Sequence, residues 1–192
     1  MNVKINKDII KALNPCKEGY DWYLKNGSTD LLDTLLRVNI VRPDWARWLF
    51  IRLMTVKQRR KIAIFAAEQA LSIFEKKYPN DKRPRDAIEA AKTVLKRNTA
   101  RNRKKAVAAS AAAYAAAAAA AVSYAAYAAD AAAAAADVGY AAYAADAVAY
   151  LVADAVAYAA ADAATYAAAD AARKEIQEKI IYKAVRILNS GK

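Results

Sequence analysis

Histidine is absent from this chain, and cysteine occurs once, as Cys16. The first absence removes the commonest general base and the commonest metal ligand. Together they leave no zinc site of the ordinary kind, and a lone cysteine closes no internal disulfide, which points to a reducing compartment. Glycine is scarce as well, with four residues in all, and no phosphate-cradling glycine loop can be assembled from them. Proline also numbers four, so helices meet few breaks. No run alternates apolar and polar residues as a half-buried strand does. No charged-then-apolar leader with a small-residue cleavage site stands at the start, which predicts no secretory signal. The longest gap is in positive charge: residues 106–172 hold neither Lys nor Arg.

What fills that gap is alanine, 42 of 67 residues, with Asp130, Asp137, Asp146, Asp154, Asp162 and Asp170 as the charges. The rest of the chain is basic. Residues 1–105 carry 25 basic against 11 acidic side chains, and the whole chain reaches +12. Such asymmetry suggests an anionic partner, nucleic acid or an acidic protein face, or else attraction between the two parts of the chain. A membrane span is not predicted. Lys105 and Asp130 enclose 24 uncharged residues, but Val107 and Val122 are the strong inserters among them, at about −0.3 to −0.6 kcal/mol each. Ser110, Ser123 and three tyrosines oppose them.

The expected fold class is all-α: a helical bundle in which a long Ala-rich helical hairpin packs on a basic helical head. Pro15 and Gly27 bracket a helix at 17–26. Ser28 and Thr29 are cap candidates for the next, running to about Val38. Pro43-Asp44 opens a third, WARWLFIRLM, apolar nearly all round and therefore expected to be buried. Thr55 caps a fourth, reaching Lys77, with the stripe Ile64, Ala67, Leu71, Phe74, Tyr78. The turn YPNDKRP stops it, and Pro84 suits the first turn of a fifth, with Ile88, Ala91 and Leu95 on one face. Three segments follow from this reading: an N-terminal helical segment at 1–40, a basic head at 41–98, and the Ala-rich hairpin with the C-terminal helix at 99–192. Gly139 is the expected break, between helices at about 100–137 and 140–189. Tyrosines supply the packing bulk that alanine lacks.

From Tyr150 onward a Tyr-x-x-x-Asp unit recurs every eight residues: Tyr150/Asp154, Tyr158/Asp162, Tyr166/Asp170. Eight residues overshoot two helical turns by about 80°, so the aspartates spiral around a straight helix rather than line one face. They suit local i,i+4 contacts and solubility, or a recognition face. Charges so sparse make a poor copy of duplex phosphates, and with Thr165 as the one threonine of the body there is no ice-binding array.

Two basic clusters stand early in their helices: Lys57, Arg59, Arg60 and Lys61, then Arg101, Arg103, Lys104 and Lys105, the latter preceded by Lys96 and Arg97. Cations in a first helical turn oppose the dipole at about 0.3–1 kcal/mol each, and a placement against local electrostatics favours a partner. Neither cluster comes with a nucleic-acid motif or interleaved aromatics. Cys16, beside Lys17 near a helix start, has no histidine to activate it, and an incidental thiol is the plainer reading. Glu68-Gln69 inside FAAEQAL suits a satisfied structural network better than catalysis. An enzyme is the poorest fit, and no cofactor is expected.

The segments WARWLFIRLM and IFAAEQALSIFEKKYPNDKRPRDAIEAAKTVL, followed by the Ala-rich region and by IQEKIIYKAVRILNSGK, resemble the immunity proteins of bacteria and their phages (the Imm-five-like family) over about residues 44–188. The first forty residues, with NPCKEGYDWYLKNG, are similar to an N-terminal segment common in phage proteins. The resemblance implies a cytoplasmic, non-enzymatic helical protein that binds and neutralises another protein, a toxin or a host-defence protein. It carries over no functional residues. Nucleic acid, or a second copy of the chain in a self-assembling structural protein, are the other partners left open.

Overall fold

A computed structural model describes residues 3–120 and 166–190, and among these the chain is all-α. The helices are α1 Lys7–Ala12, α2 Lys17–Asn26, α3 Leu31–Val41, α4 Pro43–Leu53, α5 Val56–Lys77, α6 Arg83–Lys96, α7 Ala100–Ala120 and α8 Tyr166–Asn189. The Gly139 break and the fold-back of the hairpin lie outside the described residues.

By its contacts the chain divides into two compact units, residues 1–54 with 181–192, and residues 55–180. These bounds follow packing, whereas the three segments read from the sequence follow composition.

The first unit begins with a helix that sequence reading passes over. Asn6 caps α1, its Oδ1 accepting from the N–H groups of Asp8 (3.1 Å) and Ile9 (2.9 Å). The helix is only six residues long, too short to be stable by itself. It is anchored by the segment before it: the Ile5 N–H donates to the Thr29 carbonyl and the Leu31 N–H to the Val3 carbonyl, around an isolated bridge between Lys4 and Asp30. Asn14 ends the helix in the left-handed region (φ 56°), which Asn tolerates better than most residues. The next helix keeps the limits that Pro15 and Gly27 set. Gly27 is required there, because a Cβ at this position would stand 2.3 Å from Tyr23 Cδ2 and 2.6 Å from the Tyr23 carbonyl oxygen.

The cap of α3 differs from the expected Ser28 or Thr29. Asp30 holds it, its Oδ1 accepting from the Asp33 N–H. Ser28 and Thr29 are engaged elsewhere, Ser28 Oγ with the Asp30 N–H and the Thr29 carbonyl with Ile5. Leu31, Leu35 and Val38 line the buried side of α3 at helical spacing. From α4, Ala46, Leu49, Phe50 and Ile51 are buried; Trp45 and Trp48 stay half-exposed with Arg42 and Arg52 over their rings, so α4 is less enclosed than its composition suggests. The end of α8 belongs to this unit and buries Ile181, Ala184, Val185 and Leu188, an i, i+3, i+4, i+7 stripe.

In the second unit Thr55 and Gln58 form a capping box at the start of α5: the Gln58 N–H donates to Thr55 Oγ1 (3.3 Å) and the Thr55 N–H to Gln58 Oε1 (2.9 Å). Ile64, Ala67 and Leu71 of the expected stripe are buried, joined by Ile62, Ala63 and Ala66. Pro84 lies in the first turn of α6 as expected. The buried face of α6 is Ala87, Ile88, Ala91 and Val94, with Leu95 only half-buried. That face and the stripe Ala106, Ser110 and Ala113 of α7 carry the α6–α7 packing, where fully buried alanines let two helix axes approach closely.

Candidate functional site

The second unit separates its charges. Glu75 takes both nitrogens of a bidentate Arg85 contact (2.6 and 2.5 Å), and Asp81 does the same with Arg83 (2.9 and 2.7 Å). Lys92 Nζ bridges Glu68 (2.9 Å) and Glu89 (2.7 Å). Hydrogen bonds from the guanidinium groups hold the Glu75 and Asp81 carboxyls below their usual range, and the hydrogen bonds that Lys92 donates to Glu68 and Glu89 raise the Lys92 ammonium above its own. Glu68 is thereby a structural partner, and Gln69 Nε2 turns back to the Phe65 carbonyl. These pairs also fix the register: α5 and α6 run antiparallel, with Glu75 opposite Arg85 and Glu68 opposite Lys92.

The acidic residues of α5 and α6 all lie between Glu68 and Glu89. No acid occurs at 45–67 or at 90–129. The antiparallel register therefore brings the first turns of α5 and the α6–α7 junction to one end of the helix pair, where α5, α6 and α7 contribute no carboxylate.

The junction is tightly built. Thr99 caps α7, its Oγ1 accepting from the Asn102 N–H (3.2 Å); Asn102 Nδ2 donates to the Arg97 carbonyl (2.7 Å) and Arg103 Nη1 to Asn98 Oδ1 (3.0 Å). Around it opens a groove of about 730 Å³, lined by Thr93, Lys96, Arg97, Thr99, Arg101, Asn102 and Lys105. None of its four cations forms an ion pair among the described residues. The groove also receives the N-terminal end of α7, worth about half a positive charge.

The predicted site residues are distributed as follows. Arg101 and Lys105 line the groove; Lys104 is exposed and Arg103 half-buried against Asn98. Lys57 and Lys61 are exposed near the start of α5, and Arg59 is half-buried. Arg60 departs from the surface role: it is 7% exposed, and its Nε and Nη2 find no hydrogen-bond partner among the described residues. Tyr150, Asp154, Tyr158 and Asp162 lie outside the described residues. Tyr166 and Asp170 fall in the opening turns of α8. Sequence reasoning missed the groove positions of Thr93 and Asn102, whereas it placed Lys96 and Arg97 at the head of the second basic cluster.

It also missed a surface in the first unit. Ile40 and Val41 end α3 at 84% and 60% exposure. Beside them Arg42 lies 4.4 Å over the Trp45 ring and holds Asp44 through Nε (3.1 Å) and Nη2 (2.8 Å), which keeps the Asp44 carboxyl below its usual range. The signal was present as an apolar pair at a helix end just before Arg-Pro. Cys16 caps α2, its Sγ accepting from the Gly19 N–H at 3.4 Å, and is exposed.

No group of three or more metal-ligating side chains stands together among the described residues, and no helix among them is long and apolar enough to cross a membrane.

The bidentate pair at Glu75 makes a pH prediction. Its carboxyl is depressed in the fold, so its contribution is present above the unfolded value of about 4.3 and is lost as pH falls through the folded value. Glu75→Gln should lower stability at pH 6 by under about 1 kcal/mol, since Arg85 is half-exposed. That gap should close below about pH 4 in urea titrations followed by far-UV circular dichroism. A gap that widens on acidification would reverse the sign. Compared with known proteins, the chain matches no family model, no curated protein and no solved structure.

Proposed function

We propose that this protein works by binding another protein, as a non-enzymatic inhibitor of the immunity type that covers a toxin or host-defence partner in the cytoplasm. The observation that carries the reading is the exposed apolar pair Ile40–Val41 next to the preformed Arg42–Trp45 stack. Large apolar side chains this exposed are typical of interaction sites when they gather beside aromatic and Arg residues, the types enriched at binding hot spots. The Arg42 guanidinium is already oriented by Asp44, so less side-chain freedom is lost on docking. The resemblance over about residues 44–188 supports the same class.

The test is affinity capture from host lysate at high salt, which suppresses purely electrostatic retention. The wild type should retain a defined protein reproducibly. Ile40→Asp/Val41→Asp should lose it while keeping the wild-type circular dichroism spectrum, because neither side chain is buried. Reproducible retention of nothing, or retention indifferent to the double substitution, overturns the reading.

A further inference from the structure

We infer that the groove at the α6–α7 junction is a docking site for the phosphate backbone of duplex nucleic acid, read without regard to sequence. The inference does not rest on the protein-binding surface of the first unit.

Three observations converge on it. Every side chain lining the groove is polar: two threonines, one asparagine, two lysines and two arginines, with the Thr93 hydroxyl donating to the Glu89 carbonyl, Asn102 Nδ2 to the Arg97 carbonyl, and the four cations facing outward. Protein–protein interfaces bury a centre rich in aromatic and large apolar residues, and the lining of this groove includes no such residue. Phosphate oxygens, by contrast, are met by Arg, Lys, Thr, Asn and the N–H groups of helix N-termini, the set assembled here. Second, the unit pairs its acids elsewhere. Arg83, Arg85 and Lys92 are matched to Asp81, Glu75, Glu68 and Glu89, whereas Lys96, Arg97, Arg101 and Lys105 face the groove without an ion-pair partner among the described residues. Third, Arg101 and Lys105 sit in the opening turns of a 21-residue helix that has no acidic residue in its first turn. Their repulsion by the helix dipole is relieved when a polyanion arrives.

The register of α5 against α6 extends the basic surface. Lys57 and Lys61, both exposed, stand at the same end of the helix pair as the groove. A duplex lying across this end would meet cations from three helices. With no aromatic side chain in the groove, bases have nothing to stack on, which favours a double strand over a single one.

The experiment is fluorescence anisotropy of the full chain with short labelled DNA duplexes of two unrelated sequences, from about 50 to 200 mM salt. Both duplexes should bind with similar affinity. The four groove cations by themselves contribute about −3.6 to the slope of log K against log salt, an affinity loss of at least about 100-fold over that range. Lys96→Gln/Arg101→Gln/Lys105→Gln leaves one groove cation and should make the slope shallower by about 2.7. Lys179→Gln, an exposed change on α8, should leave it unaltered. Circular dichroism verifies that the triple variant is folded, and Arg101→Gln alone, which removes a cation opposed by the dipole, should still reduce the slope by about 0.9. Wild-type protein that ignores duplex at low salt overturns the assignment, as does a triple variant with an undiminished slope. Binding of polyglutamate at the groove with no binding of duplex overturns it too, and gives the groove to an acidic protein.

Discussion

Phe50→Ala will destabilise the first unit by about 3–5 kcal/mol, the range for truncating a buried aromatic ring. Phe50 lies in the middle of α4 with 1% of its surface exposed and is the largest of the fully buried side chains among the described residues. Its helix packs on α3, whose Leu31 and Leu35 are wholly enclosed. Removing the ring forfeits its transfer free energy and leaves a void that the surrounding helices close only in part. Domains of this scale are stable by about 5–15 kcal/mol in all, so one substitution takes a large share. Urea unfolding followed by tryptophan fluorescence reports on this unit directly, since Trp22, Trp45 and Trp48 all lie within it. Ile40→Ala is the matched control: at 84% exposure it should shift stability by less than about 0.5 kcal/mol. A Phe50→Ala midpoint close to that of the control would mean that Phe50 does not form the core of this unit.

The features legible in the sequence were those with local causes. Pro15 and Gly27 delimit α2, Pro43 opens α4 and Thr55 opens α5, because caps and ring constraints act within a turn of the residue concerned. The misplaced features have distant causes. The cap of α3 shifts to Asp30 because Thr29 is committed to Ile5, in a bridge that no periodicity announces. Helix α1 is held by the same bridge. The inward face of α6 is set by Val94 rather than Leu95, since α7 returns along that side and decides which residues it covers.

The candidate site divides in the same way. Clusters of cations can be counted along a chain, and the acid-free stretches on either side of Glu68–Glu89 are equally plain. What the chain does not display is that the acids neutralise one set of cations and leave another set facing a shared groove. That distinction depends on the pairing of Glu75 with Arg85 and of Glu68 with Lys92 across two helices. Burial is also invisible in a run such as KQRRK, where four cations look alike and one of them points inward.

That inward cation gives the second large effect. Arg60→Met should stabilise the protein by about 1–3 kcal/mol, against the usual direction of a core substitution. Arg60 is 7% exposed, and its Nε and Nη2 are buried without a hydrogen-bond partner among the described residues. A buried donor without a partner costs about 1–3 kcal/mol, and burial also disfavours the charge it shares. Methionine is unbranched, flexible and apolar, so it can occupy much of the same path with nothing left to satisfy. Replacing buried charge by well-fitting apolar side chains is often neutral or favourable by about 1–4 kcal/mol. Arg60→Lys separates charge from shape: it keeps a buried cation on a similar stem and should be no more stable than wild type. The measurement is the urea midpoint of the three proteins at neutral pH, with the expected order Met above Arg, and Arg at or above Lys. A Met variant less stable than wild type would show that Arg60 gains more from its surroundings than its orphaned donors cost.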